Sequence, residues 1–154
     1  NPPIVLYYIQ GINTTPLHAH TALFGVYGLL AVALMLFSVR HIFKKSAWSD
    51  TLLKWCFWGL NGGLLALTLL TLFPVGIAQA WTSYAEGLWV ARDVSFFERP
   101  FVAFLGQLRM IPDTAIIVVG VLPLVYFLFR TFPHLKAPGI KEGESVWQRL
   151  GVDL

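Results

Sequence analysis

Three runs without a charged side chain dominate this sequence: Thr21 to Val39, Trp55 to Ala85 and Thr114 to Phe129. The first is 19 residues, about 28 Å of helix at 1.5 Å per residue. The second is 31 residues, more than enough to cross roughly 30 Å of hydrocarbon. The third is only 16, about 24 Å, so its helix must draw in residues beyond Asp113. Backbone groups inside lipid must bond within their own helix, and three transmembrane helices are the economical reading. Composition agrees, with 56% apolar residues, 12% charged residues and a mean hydropathy of +0.67. A soluble domain carries about 25% charge, so this chain lacks the polar residues to cover a globule. The single cysteine, Cys56, excludes an intrachain disulfide and a Cys-based zinc site. The chain opens on Asn1 without a basic-then-apolar leader. It reads as the C-terminal piece of something longer.

Basic residues orient the spans. Of the 11 Lys and Arg, Arg40, Lys44, Lys45 and Lys54 fall between the first two spans, and Arg130, Lys136, Lys141 and Arg149 follow the third. Arg92, Arg99 and Arg109 fall on the other side, offset by Glu86, Asp93, Glu98 and Asp113. The positive-inside rule makes the first group cytoplasmic. The net charge of +3 is therefore a topology signal, and nucleic acid is excluded as a partner. The expected class is an all-α, polytopic membrane protein whose three helices form part of a larger bundle. Its order is a periplasm-side lead-in at 1–17, helices at 18–43, 51–85 and 100–132, a cytoplasmic loop at 44–50, a periplasmic loop at 86–99 and a cytoplasmic tail at 133–154. Trp48, Trp55 and Trp58 near one boundary, and Trp81 and Trp89 near the other, suit interfacial belts. Gly59 and Gly63 fall four apart, a spacing that lets helices approach closely. Pro74 and Pro123 lie within spans and can kink them.

Four histidines occur. His41 and His134 sit among basic residues at the cytoplasmic ends and read as solvated or in contact with lipid headgroups. His18 and His20 open the first span with no charge nearby, and ionisable groups inside membranes usually mark function. Two residues apart on a helix is about 200° of azimuth and 3 Å of rise, so these imidazoles leave opposite sides and cannot chelate one metal. They suit two different acceptors, and haem irons are candidates because histidine is a standard haem ligand. The alternative is two histidines that bond carbonyls of neighbouring helices.

Context sharpens the choice. Tyr7-Tyr8-Ile9-Gln10-Gly11 is followed, seven residues after the glycine, by His18-Ala19-His20, then Leu23-Phe24-Gly25 and Tyr27-Gly28. Arg109-Met110-Ile111-Pro112-Asp113 opens the last span, and Gly120-Val121-Leu122-Pro123-Leu124 lies within it. This resembles the haem–copper oxidase superfamily and, within it, the quinol-dependent, single-chain nitric oxide reductases, over nearly the whole chain. The resemblance implies reduction of two NO to N2O and water with electrons from quinol. It implies His18 as ligand of a high-spin haem b in the catalytic centre and His20 as axial ligand of a low-spin haem b that delivers electrons. A non-haem iron would be held by residues outside this segment. Gly25 and Gly28 would leave room beside a macrocycle that Phe24 and Tyr27 pack against; the alternative for all four is ordinary helix packing. Implied partners are the remaining transmembrane helices of the enzyme, lipid, quinol and a second copy in a homodimer. The implied location is a bacterial inner membrane, with the C-terminus cytoplasmic.

Arg109 and Asp113 are one helical turn apart, so their side chains can meet. A plain interfacial salt bridge is one reading. In the other, Arg109 faces haem propionates through charge-assisted bonds and Asp113 bonds a quinol hydroxyl, accepting its proton. Pro112 is expected to open the backbone locally beside Asp113. Pro16 reads as a helix starter with Thr15 as its N-cap. The competing functions are an O2-reducing haem–copper oxidase, a non-catalytic di-haem electron-transfer anchor and a structural membrane subunit without cofactor.

Overall fold

The computed structural model describes residues 2–40 and 48–132. The tail at 133–154 and residues 41–47, with His41 and His134, lie outside them. The described residues are helical and contain no strand. A short helix α1 (Pro3–Ile9) leads to the first long helix, α2 (Thr14–Arg40). Next come α3 (Asp50–Ala85), two short helices α4 (Leu88–Arg92) and α5 (Val94–Phe97), and α6 (Pro100–Thr131). α2, α3 and α6 are 27, 36 and 32 residues long, about 40, 54 and 48 Å, and each is apolar enough to cross a membrane. The chain is an all-α, multi-pass membrane protein.

Local chemistry explains where these helices start and stop. Ser49 Oγ accepts from the Leu52 amide at 3.4 Å and Asp50 occupies the first turn, so α3 has both an N-cap and a favourable charge for the helix dipole. α3 stops at Ala85 before Gly87, whose φ of +104° few other residues adopt. Asp93 caps α5 by accepting from the Ser95 amide. Pro100 stands at the first position of α6, where its missing N–H costs nothing. α2 departs from expectation. Its N-cap is Asn13, not Thr15, and Pro16 falls inside the first turn, where an amide has no intrahelical partner anyway. Thr15 Oγ1 instead accepts from the Gly11 amide at 3.2 Å, closing the turn before the helix.

All three long helices contain a π-helical stretch: His20–Gly28, Thr68–Leu72 and Ile116–Val121. Two have a visible cause. Pro74 and Pro123 cannot donate to the carbonyls of Leu70 and Val119, and the ladder widens just before each ring. The Phe73 amide therefore reaches Thr68 O, and the Leu122 amide reaches Ile117 O.

α3 carries one buried stripe along its length, from Cys56 through Gly59, Gly63 and Leu67 to Val75 and Gln79. Its first half faces α6 across a seam of small residues. A Cβ on Gly59 would stand 2.6 Å from Val119 O, and one on Gly120 would stand 2.7 Å from Leu60 Cδ2. The Val119 carbonyl freed by Pro123 thus lies against Gly59, where a Cα–H can meet it. The second half of the stripe, with Val75, joins Phe96 of α5 and Val102 and Leu105 of α6 in a small core. By contrast, no residue of α2 is buried.

Candidate functional site

The histidine pair sits at the start of α2, and three features fix that start. Gly11 turns the chain with a φ of +70°, and the Arg92 guanidinium packs where its side chain would be. Arg92 Nη2 donates to Gln10 O at 2.5 Å, so α4 holds the turn that feeds α2. Below it, Gln79 of α3 is 2% exposed. Its Oε1 accepts from the Asn13 amide at 2.7 Å and from Asn13 Nδ2 at 2.8 Å, while its Nε2 donates to Ala91 O at 2.7 Å. A turn away, a Cβ on Gly76 would lie 3.3 Å from Thr14 N, so the two backbones touch.

From this anchor α2 presents its imidazoles. His20 Nδ1 donates to Pro16 O at 2.7 Å, one turn back. A carbonyl can only accept, so the proton resides on Nδ1 and the lone pair on Nε2. That is the tautomer a metal-binding histidine adopts when its second nitrogen is tied to the backbone. His20 is half-buried and His18 is exposed. Two clefts flank this first turn and share Thr15. One, of about 320 Å³, is lined by His18 with Leu6, Ile9, Gln10 and Thr14. The other, of about 620 Å³, includes Pro16, Asn13, Gln79 and Arg92. Among the described residues no three His, Cys, Asp or Glu side chains converge on one metal position.

Arg109 and Asp113 do meet, with Nε donating to Oδ2 at 3.2 Å. Their side chains are 40% and 43% exposed, and such pairs contribute about 0–1 kcal/mol. Arg109 also lines a small cleft of about 170 Å³ with Asn13, Thr71 and Val102. No hydrogen bond or ion pair joins either residue to His18 or His20 among the described residues. The backbone opens by one turn residue at Arg109 and again as the π stretch from Ile116, whereas the Asp113 amide keeps its bond to Arg109 O at 3.2 Å. Asn13, Gln79 and Arg92 were not among the residues the sequence singles out. A lone glutamine inside a charge-free span was the available signal, because such side chains bond between membrane helices.

Together these features describe a transmembrane helix bundle in which α2 has no buried residue and carries at its head an imidazole held by its own backbone. The model of the cytochrome c and quinol oxidase polypeptide I family matches residues 1–114, and the chain belongs to that family, within the haem–copper oxidase superfamily of oxidoreductases. A comparison with curated proteins finds no match.

Proposed function

We propose that this chain is a haem-ligating portion of a quinol-dependent nitric oxide reductase, in a bacterial inner membrane with its C-terminus cytoplasmic. The hydrogen bond from His20 Nδ1 to Pro16 O carries the reading, because it leaves Nε2 as a fixed ligand atom. His20 would hold a low-spin haem b and His18 a high-spin haem b; when bound, these supply electron transfer and, with a non-haem iron held elsewhere in the enzyme, reduction of two NO to N2O and water. One rigid turn of α2 sets the spacing of the two imidazoles. The unburied face of α2 gives macrocycles and the enzyme's other helices room to pack.

Asp113 serves the quinol. Arg109 Nε holds Oδ2, which leaves Oδ1 to accept a quinol hydroxyl and take its proton. The decisive experiment is NO consumption by the detergent-purified intact enzyme with reduced quinol as sole reductant. Consumption supports the proposal. Haem present without NO consumption, but with O2 consumption, would replace it with an O2-reducing relative, the reading that the name of the matched family favours.

A further inference from the structure

We infer that Gln79 is a positioning residue for the histidine pair, acting through Asn13 to set where His18 and His20 stand; this rests on the haem-ligand reading above. α2 buries none of its residues, so packing along its length does little to fix its height or rotation. Its firm attachment to α3 is at its N-terminus. There Gln79 grips Asn13 twice, through the backbone amide and the side-chain amide, across 66 residues of sequence. Asn13 is the N-cap of α2, yet its side chain makes no capping bond within the helix. That side chain is committed to Gln79 instead.

The third bond gives the grip its leverage. Gln79 Nε2 donates to Ala91 O, and the neighbouring Arg92 reaches Gln10 O. One buried amide therefore ties α3, the head of α2 and the outer helix α4 together, five residues before His18 and one helical turn before Pro16, whose carbonyl orients the His20 ring. Gly76 lets α3 approach the first turn of α2 closely, with Thr14 filling the space a side chain would take. Every polar atom of the Gln79 amide group has a partner, so the residue cannot be replaced by an apolar one without stranding the amide of Asn13 and the carbonyl of Ala91. A ligand helix seated this way transmits a small shift at Asn13 directly to both imidazoles.

The test uses the intact enzyme with its haems, comparing Gln79→Leu, Asn13→Ala, the double variant and His20→Ala. Readouts are haem content, the midpoint potential and electron-paramagnetic g-values of the low-spin haem, and NO reduction with quinol. Gln79→Leu is expected to keep its haem while shifting potential and g-values and slowing turnover about 10-fold, since small misplacements of reacting groups are costly. Asn13→Ala should shift them in the same direction by less. The double variant should do no more than Gln79→Leu alone, because one interaction is being removed. Glu86→Gln, which breaks the bridge to Arg99 at the same end of the molecule, should leave potential and rate unchanged. If His20→Ala abolishes the low-spin signature but Gln79→Leu moves neither potential nor g-values, the positioning role is overturned while the ligand reading stands. A low-spin signature that survives His20→Ala overturns both. Should Gln79→Leu fail to assemble, Asn13→Ala decides alone: a shift supports the role, and unchanged potential and g-values overturn it.

Discussion

α2 and the α3–α6 pair are all apolar enough to cross a membrane but differ in how they pack. α3 and α6 close on each other through Gly59, Gly63 and Gly120, so tightly that a single methyl at any of the three would meet atoms of the opposite helix. α2 shows the reverse: 27 residues without one buried side chain, held chiefly at its head. The π stretches repeat the contrast. Those of α3 and α6 lie directly before Pro74 and Pro123 and are the price of a ring in a helix. The stretch in α2 runs from His20 to Gly28 with no proline behind it, and π segments without such a cause are frequent at functional sites. Among the described residues α2 keeps its apolar face uncovered, whereas α3 and α6 are sealed against each other by glycines.

The comparison breaks most visibly at the histidines. His20→Ala is expected to remove the low-spin haem spectrum and lower quinol-driven NO reduction by more than about 100-fold, given that even changes in a ligand's supporting groups cost 10–100-fold. His18→Ala should instead remove the high-spin haem signal. Because α2 contributes no buried side chain, thermal unfolding of the apoprotein should barely change in either variant. A large loss of thermal stability in the apoprotein would show that α2 is a packing helix after all. Asp113→Asn sharpens the division within α6. Loss of a positioned base typically costs 10²–10⁴-fold, so quinol oxidation should fall about 100-fold, while haem spectra of the dithionite-reduced enzyme stay intact. An unaffected quinol rate would return the Arg109–Asp113 pair to a surface bridge worth about 0–1 kcal/mol.

The glycine seam gives the opposite pattern. Gly59→Ala places a methyl 2.5 Å from the Val119 carbonyl carbon, backbone that cannot swing aside, and should cost about 1–3 kcal/mol of stability. Gly62, three residues on, has nothing within 4 Å of a Cβ, and Gly62→Ala should gain about 0.5–1 kcal/mol from the reduced backbone entropy of the unfolded chain. Thermal denaturation of both variants in detergent checks the pair, with haem spectra as the control. Equal effects at the two glycines would mean that the seam is not where stability resides.

Local pattern made much of this visible in the residues themselves. Charge-free runs marked the three spanning helices, the four-residue spacing of Gly59 and Gly63 marked the seam, and i, i+4 spacing placed Arg109 beside Asp113. What escaped was long-range. Thr15 beside Pro16 looks like a helix start, but the true N-cap is Asn13, whose side chain is drawn away by Gln79 from 66 positions along the chain. Neither that bond nor the Arg92 guanidinium stacked over Gly11 has a periodicity to betray it. Pro74 and Pro123 read as kinks; the structure instead widens α3 and α6 into π stretches just before each ring, and no proline marks the stretch in α2.

The smallest expected effect lies outside both regions, at the Asp93 cap of α5. The Ser95 hydroxyl and then the Ser95 amide hold the Asp93 carboxyl below its usual range. A carboxylate with a lowered native pKa contributes stability that is complete above the unfolded value, about 3.9 for aspartate, and is lost as pH falls through the lower native value. Protection of the Ser95 amide from hydrogen exchange, corrected for intrinsic rates, should therefore hold steady down to about pH 4 and decline below it. Asp93→Asn keeps a capping oxygen without the charge, so its protection should be flat across the same range. The α2 haem spectra and the α3–α6 seam should not respond to either change. A decline in the asparagine variant that matches the parent would show that the Asp93 carboxylate is not the source of the pH dependence.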